Sequence, residues 1–588
     1  VILQALYDYY QRKAADPESG IAPEGFEWKE IPFVIVIDRN GKFVTLEDTR
    51  EGEGKFRRAR PLCVPKSQGR SGSKSYEVTN LLWDHVGYVL GHPKTDDARD
   101  VALAARQHEA WNKSINSIDP RLAPLPEVAA VRAFCASAQA NVVKEHPLWL
   151  ECQKVLGANI TFRVDGGTEP VPSSAAVREA LATIVASDDP SARPIEARCL
   201  VTGDWTTVAR THTNTPISKD SKCLVSFQRS SGYDSYGKEQ GFNAPVSVAA
   251  EFRYTTALNA LLRRGSPNRM QVGDATTVFW SERKTELEDH FSAFFERPPP
   301  DNPDADVTAV RALFQQVKGG SSAISAPGTR FFVLGLAPSA ARISVRFWYH
   351  GPVAELAVRI TQHFNDLEIA WEEKTKPRFS LFWLLVELAP RREIKNLDQV
   401  PPNLAGALVR AVLEGTPYPA TLLAQAIRRI RAEREVTPMR AAILKASLNR
   451  TRRVRPDQHK EITVALDTTN NNPGYRLGRL FAVLEKIQED AQPGINATIR
   501  DRFYGAASAN PITVFPQLLK LKNHHLAKIS NPAFRVMHEK RLAEIFEGLS
   551  PNMPAHLAMD EQARFAIGYY HQRHALFAKT NTDSNPTT

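Results

Sequence analysis

Apolar residues recur every three or four positions over residues 2–13, a spacing that predicts a short helix. The pattern then changes. Residues 32–37, Pro-Phe-Val-Ile-Val-Ile, and residues 43–46 are runs of β-formers on either side of Asp38-Arg39-Asn40-Gly41. Asn-Gly between two such runs predicts a hairpin, because both residues tolerate the positive φ of a tight turn. Residues 81–90 return to apolar periodicity around Trp83 and Tyr88, and helical spacing follows over 98–118 and 125–156. Residues 162–200 are mixed, with turn signals at Asp165-Gly166-Gly167 and Ser187-Asp188-Asp189-Pro190. A strand is expected at 224–227, a Gly/Ser/Tyr-rich loop at 229–242, a helix at 246–264 and a strand at 276–280. Arg297-Pro298-Pro299-Pro300-Asp301 breaks the chain, and β-rich runs at 331–336 and 343–348 flank Ala337-Pro338-Ser339.

From Pro352 the spacing is mostly helical to the end. Leu477, Leu480, Phe481, Leu484 and Ile487 form an apolar stripe, with Arg476, Arg479 and Lys486 off it. Residues 512–529, 533–549 and 559–578 continue the helical theme. Strands scattered among long helices lack the βαβ rhythm of a doubly wound sheet, so the fold class is α+β with a C-terminal helical bundle. The expected division is an α+β domain over 1–350, a helical, basic connection over 351–462, the bundle over 463–580 and a disordered tail over 581–588. No internal repeat is evident.

At 588 residues the chain is too long for one ordinary core, and 42% hydrophobic with 24% charged residues is a globular composition. The net charge of +10 favours polyanionic partners, because each neutralised phosphate releases condensed counterions. An ordinary solvated basic surface is the plain alternative. The cysteines, Cys63, Cys135, Cys152, Cys199 and Cys223, are odd in number and form no Cys-x-x-Cys pair. That argues against a disulfide framework and a cysteine zinc site, and for a reducing compartment. The first residues lack the basic start of a signal peptide, and no run of about 18 apolar residues exists to span a membrane. A cytoplasmic location, with no membrane partner, is the expectation.

Catalytic chemistry is hard to find. There is no Gly-x-x-x-x-Gly-Lys-Ser/Thr, no Gly-x-Ser-x-Gly, no His-Glu-x-x-His and no His-Asp dipeptide. His571 and His574 share a helix face, but a metal would need a third ligand, and exposed histidines beside Tyr569 and Tyr570 are the simpler reading. The adjacent pair His524-His525 reads the same way. Glu286, Glu288 and Asp289 lie in a mixed-charge run that reads as a solvated helix face. The expectation is no enzyme, no catalytic residue, no metal and no cofactor.

Binding chemistry is easier to find. Residues 55–74 hold seven cations, Lys55, Arg57, Arg58, Arg60, Lys66, Arg70 and Lys74, and no acid. Gly69, Ser71, Gly72 and Ser73 permit close backbone approach. Gln68 and Asn80, with Lys66, Arg70 and Lys74, can read base edges. A second segment, 226–247, offers Gln228, Arg229, Tyr233, Tyr236, Lys238, Gln240 and Asn243, in which tyrosines can stack and amides can read grooves. A third, 428–460, holds eleven cations, Arg428, Arg429, Arg431, Arg434, Arg440, Lys445, Arg450, Arg452, Arg453, Arg455 and Lys460, against Glu433, Glu435 and Asp457. At helical spacing it makes a basic face able to track a phosphate backbone. For each segment the plain alternative is a solvated surface, a self-packed loop or a face for an acidic protein.

These segments also carry a resemblance. Ile2-Leu3-Gln4-Ala5-Leu6, Asp8-Tyr9-Tyr10, Leu82-Trp83-Asp84 and Tyr88-Val89-Leu90-Gly91 look like the N-terminal signature of the type I-C CRISPR Cascade large subunit. Cys199-Leu200-Val201-Thr202-Gly203, Ser235-Tyr236-Gly237-Lys238-Glu239-Gln240, Asn243-Ala244-Pro245-Val246-Ser247 and Tyr254-Thr255-Thr256-Ala257-Leu258-Asn259 continue it. So do Thr277-Val278-Phe279-Trp280, Leu334-Gly335-Leu336-Ala337-Pro338, Arg342-Ile343-Ser344-Val345-Arg346-Phe347 and Tyr475-Arg476-Leu477-Gly478-Arg479-Leu480. The set spans nearly the whole chain in the expected order.

The resemblance implies a subunit beside the 5′ end of a CRISPR guide RNA. Such a subunit recognises a protospacer-adjacent motif in double-stranded DNA, helps open the duplex into an R-loop and supports a recruited helicase-nuclease in antiviral defence. Its partners would be the guide, the target duplex, the displaced strand, the Cascade backbone and guide-processing subunits, and a small subunit. In this family the small subunit can be translated internally from the C-terminal part, which residues 463–580 resemble. Guide pairing would read the target and the protein only the short motif. Chemistry places motif contacts on Lys66, Gln68, Arg70, Lys74, Asn80, Gln228, Lys238, Gln240 and Asn243. It places nucleic-acid backbone contacts on Lys55, Arg57, Arg58, Arg60, Arg428, Arg431, Arg450, Arg452, Arg453, Arg476 and Arg479. The competing readings are a non-specific nucleic-acid-binding scaffold and a stand-alone nuclease; the missing catalytic set argues against the latter.

Overall fold

The computed structural model describes all residues except 54–56, 69, 71–73, 138, 186–194, 218–221, 229–236, 298–307, 310–311, 314–327, 340–341, 373–376, 457–458, 551 and 579–588. Apart from the first two residues, the chain divides into two compact units: residues 3–213 with 225–260, and 214–224 with 261–588.

In the first unit the β-branched run Phe33–Ile37 is buried along its whole length, as a central strand with both faces covered must be. It pairs antiparallel with Phe43–Asp48 and parallel with Asn159–Val164, and the latter pairs antiparallel with Trp83–His85. The expected hairpin forms at Asn40-Gly41. The Asp38 carboxylate accepts from the N–H groups of Asn40 (2.8 Å) and Lys42 (2.9 Å). Gly41 sits at φ +81°, where a Cβ would lie 2.5 Å from the Phe134 nitrogen, so only glycine fits. Helices Ala98–Asn116 and Pro126–Ala136 supply Trp111 and Phe134, which pack on Phe162 with ring centroids 6.5 and 5.3 Å away. The helical spacing over 125–156 resolves into Pro126–Ala136, Gln139–Lys144 and Trp149–Gln153. Pro147 forces the last break, since it cannot continue a helix.

The second unit begins as an antiparallel sheet in the order Arg269–Val272, Ala275–Ser281, Arg330–Ser339, Arg342–Pro352. The strand expected at 224–227 is absent. The neighbouring strand Lys222–Cys223 pairs only with Asn214–Thr215, and 224–227 has no strand partner among the described residues. Helices follow, from Val353–Leu367 to Met559–Phe577. One hydrophobic core runs from Met270 to Tyr570. At its C-terminal end Phe481 lies within 5.9–6.4 Å of Tyr504, Phe515, Phe565 and Tyr569. The fold is thus α+β with a helical C-terminal region. Among the described residues no helix is long and apolar enough to cross a membrane.

Two of the histidines buried in this unit pair with tyrosines. His363 donates to or accepts from the Tyr418 hydroxyl, and His571 does the same with Tyr475 at 2.9 Å. His571 is therefore a buried core histidine and not an exposed one. Burial pushes both imidazoles down to about 3. An unfolded chain binds protons at these groups from about pH 6.5 downward, whereas the folded unit does not. Their contribution is fully present above that value and is lost as pH falls towards 3. The melting temperature should hold above pH 7 and fall through pH 6–4, less steeply in a His363→Gln/His571→Gln variant. Parallel profiles would assign the acid limb to other groups.

Candidate nucleic-acid interface

The first basic loop is anchored by some of its own polar residues. Arg70 pairs with the carboxylate of Asp84, donates from Nε to the Val78 carbonyl (2.8 Å) and lies 4.2 Å over the Tyr88 ring. Burial pushes the Asp84 carboxyl up, while Arg70 and the N–H groups of Asn80 and His85 pull it down; the net direction is upward. Asn80 is buried, and its side-chain oxygen accepts from the Gln68 N–H at 3.0 Å. Lys66 pairs with Glu251 Oε2 at 2.9 Å and lies 5.2 Å from the Phe252 ring centroid. Lys66, Arg70 and Asn80 thus hold the loop's ends, while the side chains of Gln68 and Lys74 are exposed.

Glu251 ties this loop to residues 210–213, which pack on the second. It lies on helix Val248–Leu262, and its Oε1 accepts from the Thr213 N–H at 2.6 Å. Three residues earlier, the Arg210 carbonyl accepts from the Gly241 N–H at 2.9 Å. A Cβ at Gly241 would sit 2.6 Å from the Ala209 carbonyl, so this approach needs glycine. Asn243 spends its amide donor on the carbonyls of Lys238 and Gln240, both at 3.0 Å, and Gln240 adopts φ +47°. Gln228 and Lys238 are exposed and Gln240 is half-buried. The base of this region holds the Cys199 thiol. Burial alone would raise it, but N–H groups of Ser247, Thr202 and Val201 bring it down to about 7. Arg229, Tyr233, Tyr236 and the Gly69 and Ser71–Ser73 positions lie outside the described residues.

The backbone-contact candidates separate into two classes. Arg58, Arg60, Arg428 and Arg431 are exposed and make no ion pair among the described residues, as do Arg434 and Arg455 from the same basic stretch. Arg57 pairs with Asp48 at 3.0 Å, and Lys55 lies outside the described residues. The other candidates, and Arg440 from the same basic stretch, are engaged within their own unit, although Arg453 stays partly exposed. Arg440 is fully buried between Glu433 (2.5 Å) and Glu387 (3.2 Å). Arg450 pairs with Asp366 at 3.0 Å, and Arg453 joins the same carboxylate. Arg452 donates to the His459 carbonyl at 2.6 Å. Arg479 forks onto Glu544 at 2.6 and 3.0 Å, and Arg476 caps the Glu544 and Ile545 carbonyls at 2.9 and 3.1 Å. Helix Pro473–Ala491 is buried around its whole circumference over most of its length, so position off the apolar stripe did not mean solvent.

The carboxylate run also changes its reading. Glu286 and Asp289 are exposed, but Glu288 is buried, accepting from the Ser281 hydroxyl and from Asn268 Nδ2 at 3.1 Å. Among the described residues no cluster of three His, Cys, Asp or Glu side chains is placed to hold a metal.

Comparison with known families gives one result. The model of the family described as CRISPR-associated protein (Cas_Csd1) matches residues 6–577. No curated protein matches the chain.

Proposed function

The chain belongs to the CRISPR-associated Cas_Csd1 family and is a Cascade-type subunit, and from that premise we propose that it reads the protospacer-adjacent motif without catalysing a reaction itself. The observation carrying this reading is the junction at Glu251, which bonds Lys66 of the first loop and Thr213 of the segment packed on the second, while Gln68, Lys74, Gln228 and Lys238 are exposed. Anchored loop ends reduce the ordering cost of binding, and exposed amides and ammonium groups match base-edge and phosphate acceptors. Duplex opening, contact with guide RNA and the displaced strand, and support of a helicase-nuclease follow from the same assignment. A small subunit made by internal translation from the C-terminal part is part of the proposal.

The test is binding of the guide-loaded complex, with and without this chain, to duplexes bearing one target and a randomised flank. Enrichment of a short flanking motif only when the chain is present is the expected result. Equal binding to all flanks would leave a non-specific scaffold. A base-reading contact at Gln68 or Gln228 should cost about 1–3 kcal/mol on alanine replacement and relax motif preference. Arg58→Ala, at an exposed backbone-contact position, should instead weaken all sequences alike and flatten the salt dependence.

A further inference from the structure

The hairpin formed by Glu196–Arg198 and Trp205–Thr207 carries two exposed apolar side chains at its tip, Leu200 at 68% and Trp205 at 71% exposure. The tip is rigid. The Cys199 N–H donates to the Asp204 carbonyl at 2.8 Å, and the Gly203 N–H, with φ +82°, donates to the Cys199 carbonyl at 2.9 Å. Arg198 Nε donates to the Gly203 carbonyl at 2.9 Å, and the Leu200 N–H to the Pro245 carbonyl at 2.9 Å. The Cys199 sulfur accepts from the Ser247 N–H at 3.2 Å, which fastens the tip to the start of helix Val248–Leu262. A tryptophan held out to water on a fixed backbone has its ordering cost already met, the property of a binding anchor.

The surroundings of the ring indicate its ligand. In the hairpin register Trp205 faces Arg198, and the next pair on the same face is Thr207 with Glu196. Two apolar side chains, Trp205 and Leu200, beside Arg198, Glu196 and Thr207 are too few for the broad apolar patch that a protein partner needs. A flat ring so placed is the arrangement that stacks on a nucleobase. The strand then runs beside the second loop: Val208 bridges Ser247, the Ala209 N–H donates to the Val246 carbonyl at 2.9 Å, and Gly241 meets Arg210. The aromatic tip therefore lies at one end of the loop bearing Lys238.

We infer that Trp205 is a stacking platform for an unpaired nucleobase of the opened DNA, with Arg198 opposite it on the neighbouring phosphate. The inference rests on the motif-reading assignment above and adds the element that receives a base once the duplex opens. Glu196 and Asp204 offset the local positive charge, so stacking rather than ion release supplies the Trp205 contribution.

The experiment uses the guide-loaded complex and target duplexes with a short unpaired bubble next to the flank, with 2-aminopurine placed at each bubble position in turn. One position should be quenched on binding. Trp205→Ala should abolish that quenching and weaken bubble binding roughly 5- to 150-fold, the range of one lost base–aromatic stack, without changing the salt slope. Trp205→Phe should restore most of both, and Arg198→Ala should lower the salt slope by about one unit. Unchanged quenching and affinity in Trp205→Ala would overturn the inference. So would loss of another protein subunit from the complex with DNA binding intact. Failure of flank discrimination with normal quenching would instead remove the motif-reading assignment and keep the stacking site.

Discussion

Replacing Arg450 by alanine is expected to destabilise the second unit by about 3–5 kcal/mol, the usual consequence of leaving a buried charge without its partner. Arg450 is 3% exposed. Its guanidinium pairs with Asp366 at 3.0 Å, donates to the Ala411 carbonyl at 3.0 Å and reaches the Thr416 carbonyl at 2.8 and 3.0 Å. It also lies 4.6 Å from the Tyr418 ring centroid. Truncation strands buried carbonyls and weakens the neutralisation of Asp366, which keeps Arg453 and a 2.9 Å bond from Gln362. Lysine keeps the charge but lacks the planar fork, so Arg450→Lys should recover only part of the loss. Exposed Arg455 on the same stretch is the contrast. Arg455→Ala should change stability by less than about 0.5 kcal/mol. If it contacts nucleic acid, the salt slope should drop by about one unit. Thermal unfolding and salt-dependent DNA binding of both variants decide the matter. An Arg450→Ala protein that melts like wild type and binds nucleic acid less tightly would move Arg450 to the interface.

The second large effect is expected at Gly478. Helices Pro473–Ala491 and Met559–Phe577 cross so closely that a Cβ on Gly478 would lie 2.0 Å from the Phe565 carbonyl oxygen. A Cβ on Gly568 would lie 2.1 Å from that of Tyr475. Both obstructions are backbone atoms and cannot swing aside, so the helices themselves must separate. Overpacking with flexible neighbours costs about 1–3 kcal/mol, and Gly478→Val should exceed that range, with the chain recovered mainly as aggregate. Gly505 provides the control. It lies in helix Ile499–Ala509 with nothing within 4 Å of its would-be Cβ. Gly505→Ala should stabilise by about 0.5–1 kcal/mol through higher helix propensity and a less flexible unfolded chain. Soluble, normally melting Gly478→Val would contradict the close crossing.

Local patterns in the sequence carried much of the fold. The β-branched run 33–37 and its Asn-Gly turn, the strands around 276–280, 331–336 and 343–348, and the C-terminal helices all follow from contacts between near neighbours. The family, too, was legible, because its motifs are short strings in order along the chain. Tertiary structure decided which cations are free. Arg428 and Arg450 look alike in sequence, yet one is exposed and the other pairs with Asp366, 84 positions away. Likewise Lys66 and Arg70 are spent on Glu251 and Asp84, distant or buried carboxylates, while Lys74 stays exposed and meets only its exposed neighbour Glu77 at 3.9 Å. Trp205 carried no signal in the sequence, because nothing in residues 201–207 distinguishes an exposed tryptophan from a buried one. Periodicity records whether a residue can be buried on its own element. Only the packing of distant elements supplies the carboxylate that neutralises an arginine, or leaves a tryptophan facing water.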